Sequence, residues 1–306
     1  MRYFWFDAHC DALIRALGQE TLETNTGQFD FARARAAGGG VQVMAVFPGG
    51  PQPLYEQVDA QIGLLEQALV TSALSLCRTG DDIKRCVAAD TFAPMLSLEG
   101  ADALESDLSR MEVLFRRGVR LLGLTWNYDN ALCGSNAGEQ FGLTALGRDG
   151  VRQWEELGGL ADVSHVSDQA FWDILETARR PVIASHSCCR ALCGHRRNLT
   201  DEQLRALADK GGVMGINFYP PFLSESGRAA ISDVADHIVH ALAAGGEDAV
   251  GLGSDFDGIS TSPEGLGGVQ DLHRLIPALE QRGLSPRVIE KVMGGNFCRV
   301  ISEGLG

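Results

Sequence analysis

Two side chains that can bind a metal ion lie near the start of the chain, directly after an apolar run. Residues 4–11 read FWFDAHCD, so one residue separates His9 from Asp11. Because side chains alternate along a strand, both would project to the same side, about 6 to 7 Å apart. Imidazole and carboxylate groups are ligands for zinc and related ions. For this fragment alone, the alternative is a buried core histidine beside an exposed aspartate.

Further polar side chains follow other apolar runs of the sequence. They are Glu99 after 95–98, His165 after 160–164, His186 after 182–185 and Asp255 shortly after 250–253. In a (β/α)8 barrel the carboxyl ends of the strands meet at one rim, where enzymes of this fold carry their chemistry. Taken alone, Glu99 could cap a helix and Asp255 could lie in a turn. Either histidine could be a core residue whose hydrogen bonds are satisfied within the protein. Together, three histidines and three carboxylates on one rim predict a functional site.

This set of candidate ligands is larger than one tetrahedral ion with an open position can use. Two ions that share a bridging carboxylate can use all of them. Imidazole and carboxylate ligands suit zinc, with manganese or cobalt as substitutes. Two ions about 3.5 to 4 Å apart generate a bridging hydroxide at neutral pH and polarise a carbonyl group. The set therefore predicts a hydrolase.

Apolar runs that alternate with segments of helical spacing predict the fold. The predicted strands are 4–9, 41–47, 95–98, 119–125, 160–164, 182–185, 213–217 and 250–253. The predicted helices include 54–70, 104–117, 146–157, 168–178, 201–210, 231–244 and 286–300. Near-continuous apolar strands between helices are typical of a parallel sheet covered on both faces. Eight such units predict an α/β fold, a closed (β/α)8 TIM-type barrel in which residues 1–306 form a single domain. A doubly wound sheet is the alternative.

Smaller features refine this prediction. Residues 73–77 and 81–89 predict a short inserted strand and helix between the second and third barrel strands. Asp168 and Asp201 are predicted helix N-caps. The loop 128–142 is long and rich in Asn, Gly and Ser, which is typical of a functional loop.

The composition limits the class of protein. Hydrophobic residues make up 45% of the 306 residues and charged residues 22%, and no segment approaches the roughly 18 consecutive apolar residues of a membrane span. The formal net charge of -14 argues against a nucleic-acid partner. No signal-peptide pattern precedes the first predicted strand, so we expect a cytoplasmic enzyme that does not bind membranes.

The eight cysteines include no C-x-x-C pair. We expect free thiols that fill small buried spaces. Cys188, Cys189 and Cys193 with His195 are an alternative zinc site, although their spacing matches none of the usual structural sites.

The sequence resembles the renal or membrane dipeptidases of the amidohydrolase superfamily across nearly its whole length. The motifs that carry the resemblance are 7–11 (DAHCD), 98–100 (LEG), 162–167 (DVSHVS), 185–187 (SHS), 196–198 (RRN) followed by Asp201, 217–219 (NFY) and 253–258 (GSDFDG). The resemblance implies a dinuclear zinc dipeptidase, with two zinc ions per chain, that forms a homodimer. Its substrates would be small dipeptides, including those with a D-residue at the C-terminal side.

The resemblance also implies a role for individual residues. One zinc ion would be bound by His9 and Asp11. The other would be bound by His165 and His186. Glu99 would bridge the two ions.

The remaining roles concern the substrate. Asp255 would be the acid/base residue near the metals. Arg197 would anchor the terminal carboxylate of the dipeptide, and Tyr219 would form part of the pocket. For Arg197, the alternative is a surface arginine paired with Asp201.

One position departs from the family pattern. Mammalian members carry a histidine that contacts the reacting substrate at the end of the fourth strand, where this chain has Trp126 followed by Asn127. Both residues are expected to contact the substrate. The only polar group of tryptophan is one indole N–H, so this departure affects the expected range of substrates and not metal binding.

Two other functions stay open from the sequence. One is another dinuclear amidohydrolase, which would cleave a cyclic amide, a lactone or a phosphoester. The other is a metal-binding paralogue without catalysis.

Overall fold

Eight parallel strands close into a barrel in the computed structural model, which describes residues 3–18, 20–49 and 54–305. The strands are β1 (Trp5–Asp7), β2 (Gly40–Val46), β3 (Phe92–Glu99), β4 (Val119–Gly123), β5 (Leu160–Asp162), β6 (Ile183–Ser187), β7 (Val213–Ile216) and β8 (Val250–Leu252). Strand order follows chain order, and β1 pairs with both β2 and β8. The predicted (β/α)8 barrel is therefore confirmed, and the doubly wound alternative is excluded.

Helices connect successive strands, and the last three described helices follow β8. They are α1 (Ala12–Ala16), α2 (Phe31–Ala37), α3 (Leu54–Thr71), α4 (Gly80–Ala89), α5 (Arg110–Arg117), α6 (Ala145–Leu157), α7 (Asp168–Thr177), α8 (Asp201–Asp209), α9 (Pro220–Leu223), α10 (Ile231–Gly245), α11 (Leu275–Gln281), α12 (Pro286–Glu290) and α13 (Asn296–Gly304). No helix of the described ranges has both the length and the apolar character that crossing a membrane requires.

The core has two layers because strand side chains alternate in direction. Phe6 of β1 stacks on Phe297 of α13, with ring centroids 5.2 Å apart, and alternate residues of the other strands join this inner cluster. Trp5, the neighbour of Phe6, belongs to the outer cluster between strands and helices. The C-terminal helix α13 thus packs into the inner layer of the barrel.

The prediction of an inserted strand at 73–77 is wrong. This segment is an irregular connection held by a backbone hydrogen bond from Cys77 N–H to the Pro94 carbonyl, at 2.7 Å. A closed barrel has no free strand edge with which an extra strand could pair. The inserted helix is present as α4, and Thr79 caps it in a capping box with Asp82.

Both predicted helix N-caps are one residue too late. Ser167 caps α7 by accepting a hydrogen bond from Ala170 N–H, and Thr200 caps α8 in the same way. Both hydroxyl residues have the extended backbone that a cap requires. Asp168 and Asp201 are instead the first helical residues, where a negative charge interacts favourably with the positive end of the helix dipole.

Two long predicted helices are interrupted. Within 104–117, Glu105 and Ser106 have positive φ angles of 51° and 64°, and α5 begins only at Arg110. Within 286–300, a π-helical segment (Lys291–Gly295) separates α12 from α13. A Cβ atom on Gly294 would lie 2.8 Å from the Phe4 carbonyl oxygen, so this segment requires glycine to approach β1.

Candidate metal centre

The candidate ligands lie at the carboxyl ends of the strands, on one rim of the barrel. Glu99 is the last residue of β3, and His186 is the penultimate residue of β6. His9 and His165 lie two and three residues beyond the ends of β1 and β5. Together with Asp11, all are buried, with at most 8% of each residue exposed. The predicted first strand was too long, since it ends at residue 7, but the structure does bring these five residues together.

His9 is at the centre of one group of ligand atoms. Its Nε2 atom lies 3.5 Å from Glu99 Oε2, 3.6 Å from Asp11 Oδ2 and 3.9 Å from Asp255 Oδ1. Within the described part of the chain, neither this nitrogen nor Asp11 Oδ1 has a hydrogen-bond partner. Ligand atoms of His9, Asp11 and Asp255 lie within 4.8 Å of one another, as do those of His9, Glu99 and His186. Such spacing suits a bound cation.

His165 and His186 face each other across a second group. Their Nε2 atoms are 2.9 Å apart, and His165 Nε2 lies 3.0 Å from Glu99 Oε1. The Nδ1 atom of His165 lies 3.1 Å from the amide oxygen of Asn127, which can only accept a hydrogen bond. The ring proton therefore belongs on Nδ1, and the Nε2 lone pair points at a carboxylate oxygen. This arrangement is repulsive unless a cation lies between the two atoms, so the residues fit a metal ion.

The pKa values of the cluster separate a histidine that is neutral near pH 7 from one that must lose a proton to bind a metal ion. Burial alone would raise the pKa of Glu99, but His9 holds it below its usual range. Burial alone would lower the pKa of His9, but Glu99 and Asp11 raise it well above its usual value. Burial, together with the charge of Arg197, lowers the pKa of His165 to about 4. His165 is therefore neutral near pH 7, as a metal ligand must be.

The long loop after β4 supports His165. This residue has a positive φ of 71°, and its carbonyl accepts a hydrogen bond of 2.8 Å from Asn136 N–H. Asp129 orders the loop by accepting a hydrogen bond of 2.7 Å from Ser135 N–H. The predicted functional loop thus fixes the backbone of a candidate ligand.

Asp255 lies beside the candidate ligands with both carboxylate oxygens in defined surroundings. Its Oδ1 faces His9, and its Oδ2 accepts a hydrogen bond of 3.0 Å from Asn217 Nδ2. Burial raises the pKa of Asp255 to about 7, although His9 opposes the shift. No role for Asn217 followed from the sequence, although it lies in the motif 217–219.

Two buried carboxylates hold the strand ends that carry the ligands. Asp162 Oδ1 accepts hydrogen bonds of 2.9 Å from the N–H groups of both Ser164 and Ser185. Asp7 accepts a hydrogen bond of 2.7 Å from Ser254 N–H. Each is a carboxylate at the end of an otherwise apolar strand, which is a signal visible in the sequence, but their structural role depends on neighbouring strands.

A cavity of about 390 Å³ opens at the candidate ligands. Arg197, Tyr219, Trp126 and Asn127 all line it. Arg197 is 6% exposed, and its Nη2 donates a hydrogen bond of 3.1 Å to the His186 carbonyl. Its Nε has no hydrogen-bond partner within the described ranges. A buried guanidinium with an unused donor suits an anionic substrate group.

The alternative cysteine site is not assembled in the described structure. All eight cysteines are free thiols. Cys188, Cys189 and Cys193 each donate to a different backbone carbonyl, of Asn217, His237 and Pro221. They fill buried space, as expected.

Residues 2–304 match the model of the membrane dipeptidase family, peptidase family M19. The chain belongs to this family. It is therefore a metallo-dipeptidase, an enzyme that hydrolyses the peptide bond of dipeptides. Family membership decides against the lactone, phosphoester and non-catalytic alternatives.

Similar proteins span the whole barrel. An uncharacterized protein in the pqqA 5′ region of Klebsiella pneumoniae is 39% identical over 270 residues, which cover 84% of this chain and 98% of that protein. An uncharacterized dipeptidase of Schizosaccharomyces pombe is 34% identical over 299 residues, which cover 90% of this chain and 72% of that protein. A metallo peptidase from Rhodobacter sphaeroides, solved with a phosphinate mimic of the dipeptide L-Ala-D-Ala, superposes with a TM-score of 0.91 at 26% identity. That alignment covers 99% of this chain and 100% of the solved one.

Proposed function

We propose that this dipeptidase binds two zinc ions and cleaves small dipeptides, including those with a C-terminal D-residue. The observation that carries the proposal is a buried Arg197 in the same cavity as the candidate metal ligands, whose Nε has no hydrogen-bond partner among the described residues. The solved relative from Rhodobacter sphaeroides supports a dipeptide with a D-residue, because its ligand mimics L-Ala-D-Ala.

The five candidate ligands divide into two groups that share one carboxylate. In this proposal Glu99 bridges the two sites, since one of its oxygens faces His9 and the other faces His165. Asp11 completes the first site, and His186 completes the second. Manganese or cobalt would substitute for zinc, because they accept the same imidazole and carboxylate ligands.

The five candidate ligands would hold two ions, which would supply an activated water molecule as the nucleophile and polarisation of the scissile carbonyl. Arg197 holds the C-terminal carboxylate of the dipeptide and thereby sets the position of the scissile bond. Asp255 takes a proton from the attacking water and delivers it to the departing amine. Its pKa of about 7 suits a group that must both accept and donate a proton. Asn217 keeps the Oδ2 atom of Asp255 in place.

Tyr219, Trp126 and Asn127 are proposed as further contacts to the substrate. Asn127 also holds His165 in the tautomer that a metal ligand requires. We further propose that residues 1–306 form one domain. The predicted homodimer and cytoplasmic location stay predictions.

A double change in protein and substrate tests the role of Arg197. Amidating the C-terminus of the dipeptide removes a charge-assisted contact, and should cost about 1.5 to 3 kcal/mol in kcat/KM. Arg197→Ala should cost about the same on the free acid. The two changes together should cost little more than either alone, because each removes one partner of the same contact.

Arg197→Lys is the matched control, which keeps the charge but loses the planar fork. Fully additive losses would place the carboxylate anchor elsewhere.

A further inference from the structure

A second cavity adjoins the candidate metal centre. It has a volume of about 370 Å³ and is lined by Phe47, Pro48, Gly49, Asp102, Trp126 and Tyr128. We call it the aromatic pocket. Phe47 and Trp126 line both this pocket and the cavity at the candidate ligands, so the two spaces share a wall.

The aromatic pocket lies across the barrel from Arg197. Phe47 follows β2, Asp102 follows β3 and Trp126 follows β4. Arg197, by contrast, lies in the connection between β6 and β7. In a closed barrel of eight strands in sequential order, β6 and β7 stand opposite β2 and β3. A dipeptide whose carboxylate binds Arg197, and whose peptide bond lies at the candidate ligands, therefore extends its N-terminal residue toward the aromatic pocket.

Three aromatic rings line this pocket in succession. The rings of Phe47 and Trp126 have centroids 4.7 Å apart, and those of Trp126 and Tyr128 are 5.5 Å apart. Their planes are inclined by 57° and 63°, so the rings form an angled wall rather than a flat stack. Aromatic faces attract cations such as ammonium and guanidinium groups.

Asp102 adds an unpaired negative charge to the aromatic wall. No lysine or arginine of the described ranges lies within ion-pair distance of its carboxylate. Burial raises the pKa of Asp102, and the side chain that lowers it is the neutral amide of Asn130. A half-buried carboxylate without a cation, next to three rings, is an arrangement that a positively charged ligand would complete. The net charge of -14 would also attract such a ligand to the protein.

We propose that the aromatic pocket binds the cationic side chain of a lysine or arginine at the N-terminal position of the dipeptide. The proposal rests on the proposed function, because it uses the orientation that Arg197 imposes on the substrate. It adds a substrate class, namely dipeptides with a basic first residue.

Two dipeptides that differ only by a side-chain ammonium group test the proposal. Lysyl-alanine and norleucyl-alanine have the same α-amino group and the same C-terminal carboxylate, and their side chains are similar in length. For the unaltered protein, kcat/KM for lysyl-alanine should exceed that for norleucyl-alanine by about 10- to 100-fold, as expected for a charge-assisted contact. The substitution Asp102→Asn should bring this ratio close to one. Asp107→Asn is the matched control, since it lies on the same connection outside the pocket and should keep the ratio.

The result with the unaltered protein decides the proposal even if Asp102→Asn fails to fold. Hydrolysis of both dipeptides with a ratio close to one would overturn the cationic pocket and leave the proposed function standing. An unchanged ratio in a folded Asp102→Asn protein would overturn the assignment to Asp102. If neither these dipeptides nor alanyl-alanine were hydrolysed by the zinc-loaded protein, the proposed function would fail, and the pocket assignment with it.

Discussion

Asp255 shows how one side chain acquires a chemical role from its surroundings. It is held in a left-handed backbone conformation, with φ of 64°, three residues beyond the end of β8. Burial raises its pKa to about 7, and Asn217 fixes one of its oxygens. An exposed aspartate with an ordinary pKa would be a poor proton acceptor at neutral pH. Burial therefore sets the pKa of Asp255, while its backbone conformation and the contact with Asn217 fix its orientation.

The first prediction concerns the proton transfer proposed for this residue. Asp255→Asn should lower kcat by about 10² to 10⁴-fold, because an amide cannot accept the proton of the attacking water. The metal content should stay at the level of the unaltered protein, which elemental analysis of the purified variant would measure. Loss of one ion equivalent would instead identify Asp255 as a ligand.

Residue types and spacing predicted much of this site, but not its hydrogen bonds. His9, Asp11 and Glu99 could be found because each follows an apolar run. Asn217 and Asp162 could not be given a role, because they have partners at the ends of other strands. The register between two strands cannot be read from the sequence of either one. Arg197 Nε has no hydrogen-bond partner among the described residues, which is likewise a property of the assembled cavity.

At the scale of elements, the barrel depends on how closely its C-terminal helices approach the first strand. A Cβ atom on Gly294 would lie 2.8 Å from the Phe4 carbonyl oxygen and 2.9 Å from the Phe6 nitrogen. Both are backbone atoms of a paired strand, so they cannot move easily. The π-helical segment that contains Gly294 allows this contact. Helical periodicity predicted one continuous helix here, because spacing does not reveal a close backbone approach.

The second prediction compares two glycine-to-alanine substitutions within helical segments. Gly294→Ala should destabilise the protein by about 1 to 3 kcal/mol, because it overpacks the contact with β1. Gly63→Ala, in α3, should stabilise it by about 0.5 to 1 kcal/mol, because its Cβ would lie 4.0 Å from the nearest atom, a flexible arginine nitrogen. Denaturant midpoints measure both changes. Equal effects at the two sites would show that the close approach at Gly294 is not required.

At the scale of the whole molecule, the candidate ligands link distant parts of the barrel. They follow or end β1, β3, β5 and β6, and Asp255 beside them follows β8. An unfolded chain would hold these side chains far apart. Bound ions would therefore stabilise the folded state, by a free energy that grows with the logarithm of their affinity.

The third prediction follows from this linkage. Removing the metals with a chelator should lower the melting temperature, since ions at 100 times their Kd contribute about 2.7 kcal/mol to the free energy of unfolding. Adding zinc back should restore the original value, as differential scanning calorimetry would show. Glu99→Gln is a useful comparison, because the loss of the shared carboxylate should reduce the effect of the chelator. An identical melting temperature with and without the chelator would contradict the proposed sites.

The central claim is that two ions held by the five candidate ligands carry out dipeptide hydrolysis. Its most direct test is a zinc titration of the metal-free protein, in which bound zinc and the rate of alanyl-D-alanine hydrolysis are measured on the same samples. We expect two zinc ions to bind per chain and the activity to reach its plateau at that ratio. Full activity in the metal-free protein, or a plateau in both binding and activity at one ion, would contradict the account.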